Sequence, residues 1–527
     1  MIRLHQQQTS KLSRFESVVE DHSKSTDDTG EAVLNDLKDL PVTMLYASDF
    51  EDGTVRLRYS GKYVLAEDVE FDPPATPGDA YPKPPYQLGF FAAVTIEAAN
   101  VVFDLGGYTL RQSERHALRQ RFFSVVELSD QPFLHGQGPS DFGSDEPGPL
   151  RKCVVQNGII GRSAHHGVHG NEPIDVVLRN LVVTDFEVAA IHLNNPTRCT
   201  LQNVHVHKTR RPVPVRATYS QAVFARDALR SVLAASDEIL TWRGRPGAEI
   251  LADVEREINK TEIEILSGQP LSNTLFRNDR GELDGNCYGI AIHKKGVAVG
   301  PMSQTHKPGT SVFMLDVCVE DISSTPAHVC VYTDVPLGDN PTVYGAGGTI
   351  VRGPVGDVMD LSTLGAPNMY TPTVLSEVQF YLGQHHDRGY TPTSVLAWAQ
   401  GGAYPKELYK IAGLDSMAHT MKGTAGVFLS GIDSAVIDRL RVHGVHNKGN
   451  TGHRGDVAVG VLVTACARVT IRDSYITGSK TCGSEFLHGS NVLLERTVIA
   501  DVPVPVMHDA STTVTSKECG HATLVRN

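Results

Sequence analysis

No stretch of about 18 consecutive apolar residues occurs anywhere in the 527 positions, so no helical membrane span is expected. A CxxC pair is also missing: the eight cysteines are scattered, without zinc-type spacing. Buried thiols in a reducing compartment are therefore expected, and no metal-ligand set is assigned. Cationic excess is missing too. Lys and Arg number 48 against 60 Asp and Glu, a net charge of −12. That balance argues against nucleic acid as a partner, since phosphates must be neutralised by Lys and Arg. The opening MIRLHQQQTSKLSRF has no apolar run behind its first charge and does not read as a secretory signal. Synthesis inside the cell is expected; the final location, a virion included, stays open. Gly345-Ala346-Gly347-Gly348 lacks the Gly-Lys-Ser/Thr of a phosphate loop, and no serine or cysteine triad can be picked out by spacing. No cofactor can be named.

What is present is a repeat. Val154-Val155-Gln156-Asn157-Gly158-Ile159-Ile160, Val177-Leu178-Arg179-Asn180-Leu181-Val182-Val183 and Thr200-Leu201-Gln202-Asn203-Val204-His205-Val206 align without gaps, 23 residues apart. A fixed period of this length is the mark of a solenoid. Partial alternation of apolar and polar residues fits strands with one buried face. Asn157, Asn180 and Asn203 fall at one place in each unit, so their amides are expected to bond up the stack and satisfy a buried turn. Cys153 and Cys199 share a column two periods apart, about 10 Å, too far for a disulfide. Related segments begin at Val101, Phe313, Val436, Thr470 and Leu493.

The Asn column, the short valine-rich strands and the "NVVFDLGGYTL" opening resemble the pectin-lyase-like superfamily of right-handed parallel β-helices. The resemblance covers roughly residues 90–210, 285–335 and 423–505. It implies an all-β, right-handed parallel β-helix with helical insertions. The blocks "GFFAAVTIEAANVVFDLGGYTL" and "RQRFFSVVEL" are also similar to uncharacterised β-helix proteins of large DNA viruses and marine protists. The superfamily includes pectate lyases, polygalacturonases, uronan epimerases and non-catalytic phage and virus proteins, so the fold leaves function open.

The expected layout is a polar, mobile segment at 1–40, with at most a short helix presenting Leu12, Phe15 and Val19. N-terminal coils follow at 41–216, a helical hairpin at 217–267, coils at 268–335, a mixed insertion at 336–422 and C-terminal coils at 423–527. In the hairpin, Thr218 and Gln221 form a capping box, and Gly244-Arg245-Pro246-Gly247 makes the turn. Ile250, Leu251, Val254, Ile258 and Ile265 form its second apolar stripe, expected to pack on the solenoid. Tyr370-Thr371-Pro372-Thr373 and Tyr390-Thr391-Pro392-Thr393 start two expected short helices, at 374–381 and 395–399. Six prolines in 72–89 mark an extended loop.

Histidine is the unusual feature. His165, His166 and His169 lie in one coil, His192 in the next, then His205 and His207. His169 and His192 share a column, as do Asn171 and Asn194. Val168 and Ile191 point inward, which turns both histidines outward, about 5 Å apart. Such a pair could bind a metal, act as acid and base or contact a sugar; the simpler reading is a polar surface ladder. Lys208, Arg210, Arg211 and Arg216, with His293-Lys294-Lys295, could hold uronate carboxylates, or be ordinary solvated charge. The residues singled out are His169, His192, Arg210 and Arg211 for catalysis. His165, His166, His205, His207, Lys208 and Lys294 are singled out for substrate contact. Hydrolysis would need two facing carboxylates; Asp175, Asp185, Asp316, Asp321, Asp433 and Asp473 are available, but nothing selects a pair.

Motifs of the superfamily's enzymes are absent. Arg210-Arg211-Pro212-Val213-Pro214-Val215-Arg216 misses the pectate-lyase Arg-x-Pro-x-x-Arg spacing. His166-Gly167-Val168-His169-Gly170 does not complete a polygalacturonase set, and the epimerase Tyr-Gly-Phe-Asp-Pro-His is not found. Two readings follow. One is a β-helix that binds, and by lyase, epimerase or hydrolase chemistry modifies, a polysaccharide. The other is a non-catalytic structural or attachment protein of a virion or cell surface, forming trimers or a larger particle.

Overall fold

A computed structural model of the protein describes residues 30–75, 91–119, 123–128, 150–208, 226, 233, 241–242, 245–272, 287–293, 307–324, 349–353, 356–360, 423–447, 457–519 and 524–526. The valine-rich repeats pair as parallel strands in the register that their alignment implies. Val154 pairs with Val177, Val177 with Thr200, Thr200 with Phe313, Phe313 with Val436, Val436 with Thr470 and Thr470 with Leu493. One segment is off by a residue: Val102, not Val101, pairs with Val154. Parallel pairing requires a crossover between partners, and the chain supplies it by winding around as a right-handed parallel β-helix. Among the described residues the coils build a 16-stranded and an 11-stranded sheet. They enclose one continuous apolar core, from Leu45 to Val506.

Each coil bends at residues held in the left-handed region. The Asn column continues as Asp316, Arg439, Asp473, Arg496 and Glu518, and all eight residues have φ between 44° and 59°. Asn suits this conformation because its short amide bonds locally. Asn180 Nδ2 donates to Asn157 Oδ1 and Asn203 Nδ2 to Asn180 Oδ1, both at 3.0 Å. Further along, Arg439 pairs with Asp316 and Arg496 with Asp473. Asn180 and Asn203 are exposed, so the turn is not the buried one expected from sequence; the column answers a backbone requirement at the surface. A second corner, with Asp185, Asp321 and Asp501 at positive φ, accounts for two of the four remaining candidate acids as turn residues. Asp175 is another positive-φ residue and is tied to Arg198.

The outer faces are covered in places. Residues 30–36 form a helix whose Val33 and Leu37 side pack on Val102, Val154 and Val177, so this part of the 1–40 segment belongs to the fold rather than being mobile. Leu12, Phe15 and Val19 lie outside the described residues. In the hairpin insertion, strands Thr241–Trp242 and Arg245–Pro246 pair antiparallel and a helix spans Gly247–Leu266, so Arg245, Pro246 and Gly247 of the expected turn lie in a strand and at the start of the helix instead. Its Ile258 packs on Leu118 of the short helix Glu114–Arg119. Glu262 pairs with both Arg115 and Arg119 beside that contact. Thr218, Gln221, the two Tyr-Thr-Pro-Thr segments with their helices, Gly345–Gly348 and most of the proline-rich loop lie outside the described residues. Cys153 and Cys199 are buried free thiols in one column. No described helix is long and apolar enough to cross a membrane.

Candidate functional site

Strand alternation puts every second side chain on the core, yet the 11-stranded sheet breaks this rule once per coil. Ala190 and Ile191, adjacent in sequence, both lie in the core. Gly167-Val168, Gly289-Ile290, Gly426-Val427 and Gly460-Val461 occupy the same place in their coils. A Cβ at Gly167, Gly289, Gly426 or Gly460 would lie 2.5–2.7 Å from a carbonyl oxygen of the following coil, so glycine is required by close approach. Two inward residues in succession leave both flanking residues outward. His166 and His169, three apart, therefore share the outer face, where a regular strand would place them on opposite sides.

Register carries this across coils. His169 pairs with Glu127 on one side and His192 on the other, and Asn171 with Asn194, which pairs in turn with His293. Ala189 follows His166 in its column, and Ala291 follows His192. The small Ala side chains leave room for the rings. Imidazoles of His166 and His169 stack, with centroids 4.9 Å apart and an interplanar angle of 9°. His192 stands edge-on to both, at 4.6 and 5.4 Å, and His293 lies 4.7 Å from His192.

Two hydrogen-bonded lines run through the cluster. In the first, Glu127 accepts from His169 Nδ1, with both carboxylate oxygens at 2.8 Å, and Asn194 Nδ2 approaches His169 Nε2 at 3.2 Å. Asn194 Nδ2 also donates to Asn171 Oδ1 at 2.9 Å. An amide N–H can only donate, so His169 Nε2 carries the lone pair and Nδ1 the proton. In the second, His165 Nδ1 meets His166 Nδ1 at 3.2 Å, His166 Nε2 meets His192 Nδ1 at 2.8 Å, and His192 Nε2 meets His293 Nε2 at 2.6 Å. Four neutral rings satisfy these three contacts when every N–H points the same way along the line. Burial, reinforced by neighbouring histidines, holds His166 and His192 well below the ordinary histidine range and hence neutral.

His165, His166, His169 and His192 thus come together, joined by Glu127, which the sequence did not single out, and by His293, which it offered only as part of a basic run. The histidines do leave the solenoid core, but they are not a solvated ladder: His169 is 1% exposed and Glu127 fully buried, while His192 and His293 are half-buried at the rim. His205 and His207 lie elsewhere, on the 16-stranded sheet, where His205 Nε2 meets Glu320 at 3.0 Å. Lys208 Nζ donates to the Ser323 carbonyl at 3.1 Å and lies over the Phe186 ring. Arg210, Arg211, Arg216, Lys294 and Lys295 lie outside the described residues. Among the described residues, two groups have ligand atoms close enough to share an ion, within 4.8 Å: His166, His169 and His192, and separately the half-exposed His205, Cys318 and Glu320.

Glu127 was legible in principle, since "SVVEL" aligns with "HGVHG", but 42 residues separate Glu127 from His169 and conceal the 23-residue period. His293 is 99 residues beyond Asn194, across the helical insertion, and its column appears only once Ile290 is set against Ile191.

No protein-family model and no curated protein sequence matches the chain. Among solved structures it is similar to the A-module of a mannuronan C-5 epimerase from Azotobacter vinelandii, with 9% identity and a TM-score of 0.34, over 93% of this chain and 87% of that one. It is also similar to an alginate lyase from Paenibacillus sp., with 8% identity and a TM-score of 0.23, over 92% of this chain and 97% of that one.

Proposed function

We propose that the protein binds and modifies an acidic polysaccharide, at the histidine cluster on the outer face of the 11-stranded sheet. The observation that carries this reading is the convergence of Glu127, His166, His169, His192, Asn194 and His293 from four successive coils. A purely structural face needs no such set of oriented imidazoles. The pectin-lyase-like resemblance supplies the substrate class. It enters by analogy of fold, whereas the site itself speaks only to chemistry.

Lysis and epimerisation of a uronan share a first step: removal of the proton beside the carboxylate, giving a carbanion stabilised as an enolate. His192 and His293, at the rim, are the groups placed to meet a polymer. Asn194 and Asn171 present amides to its hydroxyl or carboxylate oxygens. Elimination of the neighbouring glycosidic oxygen would then cleave the chain, while return of a proton to the opposite face would invert the sugar. Hydrolysis by paired carboxylates is disfavoured, because Asp175, Asp316 and Asp473 each hold an arginine at a coil corner.

The test is incubation with acidic and neutral polysaccharides in deuterated water, following chain length and deuterium uptake into the sugar. Shortening or uptake with one uronan, abolished by His293→Ala and by His192→Ala, is expected. No change in any polymer would reject modification and leave binding or a structural role.

A further inference from the structure

We propose that His166, His169 and His192 form a binding site for a divalent transition-metal ion of the zinc type, with Glu127 as the group that orients His169. Three imidazoles from two hydrogen-bonded coils bring their ligand atoms within 4.8 Å of one another. The decisive detail is Glu127. Metal-bound histidines usually donate their other ring N–H to a carboxylate, which fixes the tautomer and strengthens the ligand. Both Glu127 oxygens lie 2.8 Å from His169 Nδ1, and the amide of Asn194 at Nε2 shows that the lone pair is on the atom facing the cluster. A polar ladder has no need of a fully buried carboxylate on one ring's far side.

The geometry is close to what an ion requires. Metal–nitrogen bonds of about 2.0–2.1 Å in a tetrahedron put ligand nitrogens roughly 3.3 Å apart. His166 Nε2 and His192 Nδ1 are 2.8 Å apart and Asn194 Nδ2 lies 3.2 Å from His169 Nε2, so the ion would displace both hydrogen bonds, the first opening by about half an ångström. Stacking of His166 on His169 and the pairing of strands His166–Asn171 and Ala189–Asn194 limit any further rearrangement. An all-imidazole trio selects zinc, cobalt, nickel or copper over calcium and magnesium, which need oxygen ligands. Three protein ligands leave a fourth position, the pattern of sites that use the metal as a Lewis acid. The second group, His205, Cys318 and Glu320, is half-exposed and has a thiol, which makes it an internal control.

The assignment does not depend on a polysaccharide and is read without turnover. Full-length protein stripped with a chelator is titrated with zinc against a competing dye, and with cobalt by visible absorption. One equivalent of zinc is expected to bind tightly. Cobalt should give ligand-field bands of nitrogen coordination without a thiolate charge-transfer band. His192→Ala should weaken zinc by at least a hundredfold and Glu127→Gln by roughly 10–100-fold, while Cys318→Ser should leave it unchanged. Wild-type protein that takes up no zinc, a thiolate band with cobalt, or zinc affinity kept in His192→Ala but lost in Cys318→Ser would overturn the site. If a variant does not fold, the wild-type cobalt spectrum alone still decides. Metal uptake with no polymer altered sinks only the proposed function; polymer modification by a protein that takes up no zinc sinks only the metal site.

Discussion

Replacing Gly460 by Ala tests the packing that creates the outer-face site. A Cβ there would lie 2.5 Å from the Gly483 carbonyl oxygen and 2.5 Å from Ile476 Cγ2. Neither neighbour can move cheaply. The carbonyl belongs to the next coil, whose strand is held by register pairs such as Val459–Cys482 and Val461–Ser484, and Ile476 is fully buried. Overpacking of a well-packed interior costs about 1–3 kcal/mol, and a backbone obstacle puts this case at the upper end. Loss of glycine's freedom in the unfolded chain returns about 0.4–1 kcal/mol. The net is about 2 kcal/mol, roughly thirtyfold in the unfolding equilibrium. Because repeats interact mainly with their neighbours, the damage should be local. Hydrogen exchange should rise first in 457–464 and 482–487, with a lowered urea midpoint for the C-terminal coils. Ala190→Gly is the counterpart. Ala190 fills the same column in a coil that accepts a Cβ, so the swap removes a buried methyl and costs about 1 kcal/mol without a clash. A Gly460→Ala protein within about 0.5 kcal/mol of wild type, with unchanged exchange, would refute the account of how two successive residues turn inward.

Three further outcomes are expected. Asn180→Ala should cost about 1–2 kcal/mol, because it forces Ala to φ 51° and removes two amide bonds, whereas Asn180→Gly should cost under about 1 kcal/mol; paired urea curves check this. Glu262→Ala leaves Arg119 buried without its carboxylate and should cost about 3 kcal/mol, seen as faster proteolysis within the Gly247–Leu266 helix. Burial raises the Asp104 carboxyl, but the Gly106 amide, Gln156, Lys62 and Asn157 outweigh it and hold it below the usual range. A depressed carboxyl stabilises the fold above its unfolded value of about 4 and loses that contribution as pH falls further. Asp104→Asn should therefore be destabilised near pH 6 and converge on wild type toward pH 2–3, by urea midpoints across that range.

Legibility in the sequence followed the spacing between coils. Where the coil is 23 residues long, as from Val154 to Thr200, register, the αL column and the His169–His192 pairing could all be read by laying segments together. What alternation could not convey is burial beyond the core: it turned His169 outward correctly, but an outward residue is exposed only if nothing lies over it. Insertions removed the other half of the site. Glu127 and His293, the flanking members of the cluster, are each separated from it by a lengthened coil, and the period that would have exposed them is broken there. The glycine column was visible at 167, 289, 426, 460 and 483, yet its meaning depends on a carbonyl of the adjacent coil, which no single strand contains. A solenoid of identical coils offers identical columns, and a polar stack then only repeats itself, as Asn157, Asn180 and Asn203 do. A site needs unlike residues in neighbouring coils of one column, and Glu127, His169, His192 and Ala291 supply that change over four coils. The same column carries on as Phe428, Leu462 and Glu485, so its imidazoles are confined to two adjacent coils, those of His169 and His192.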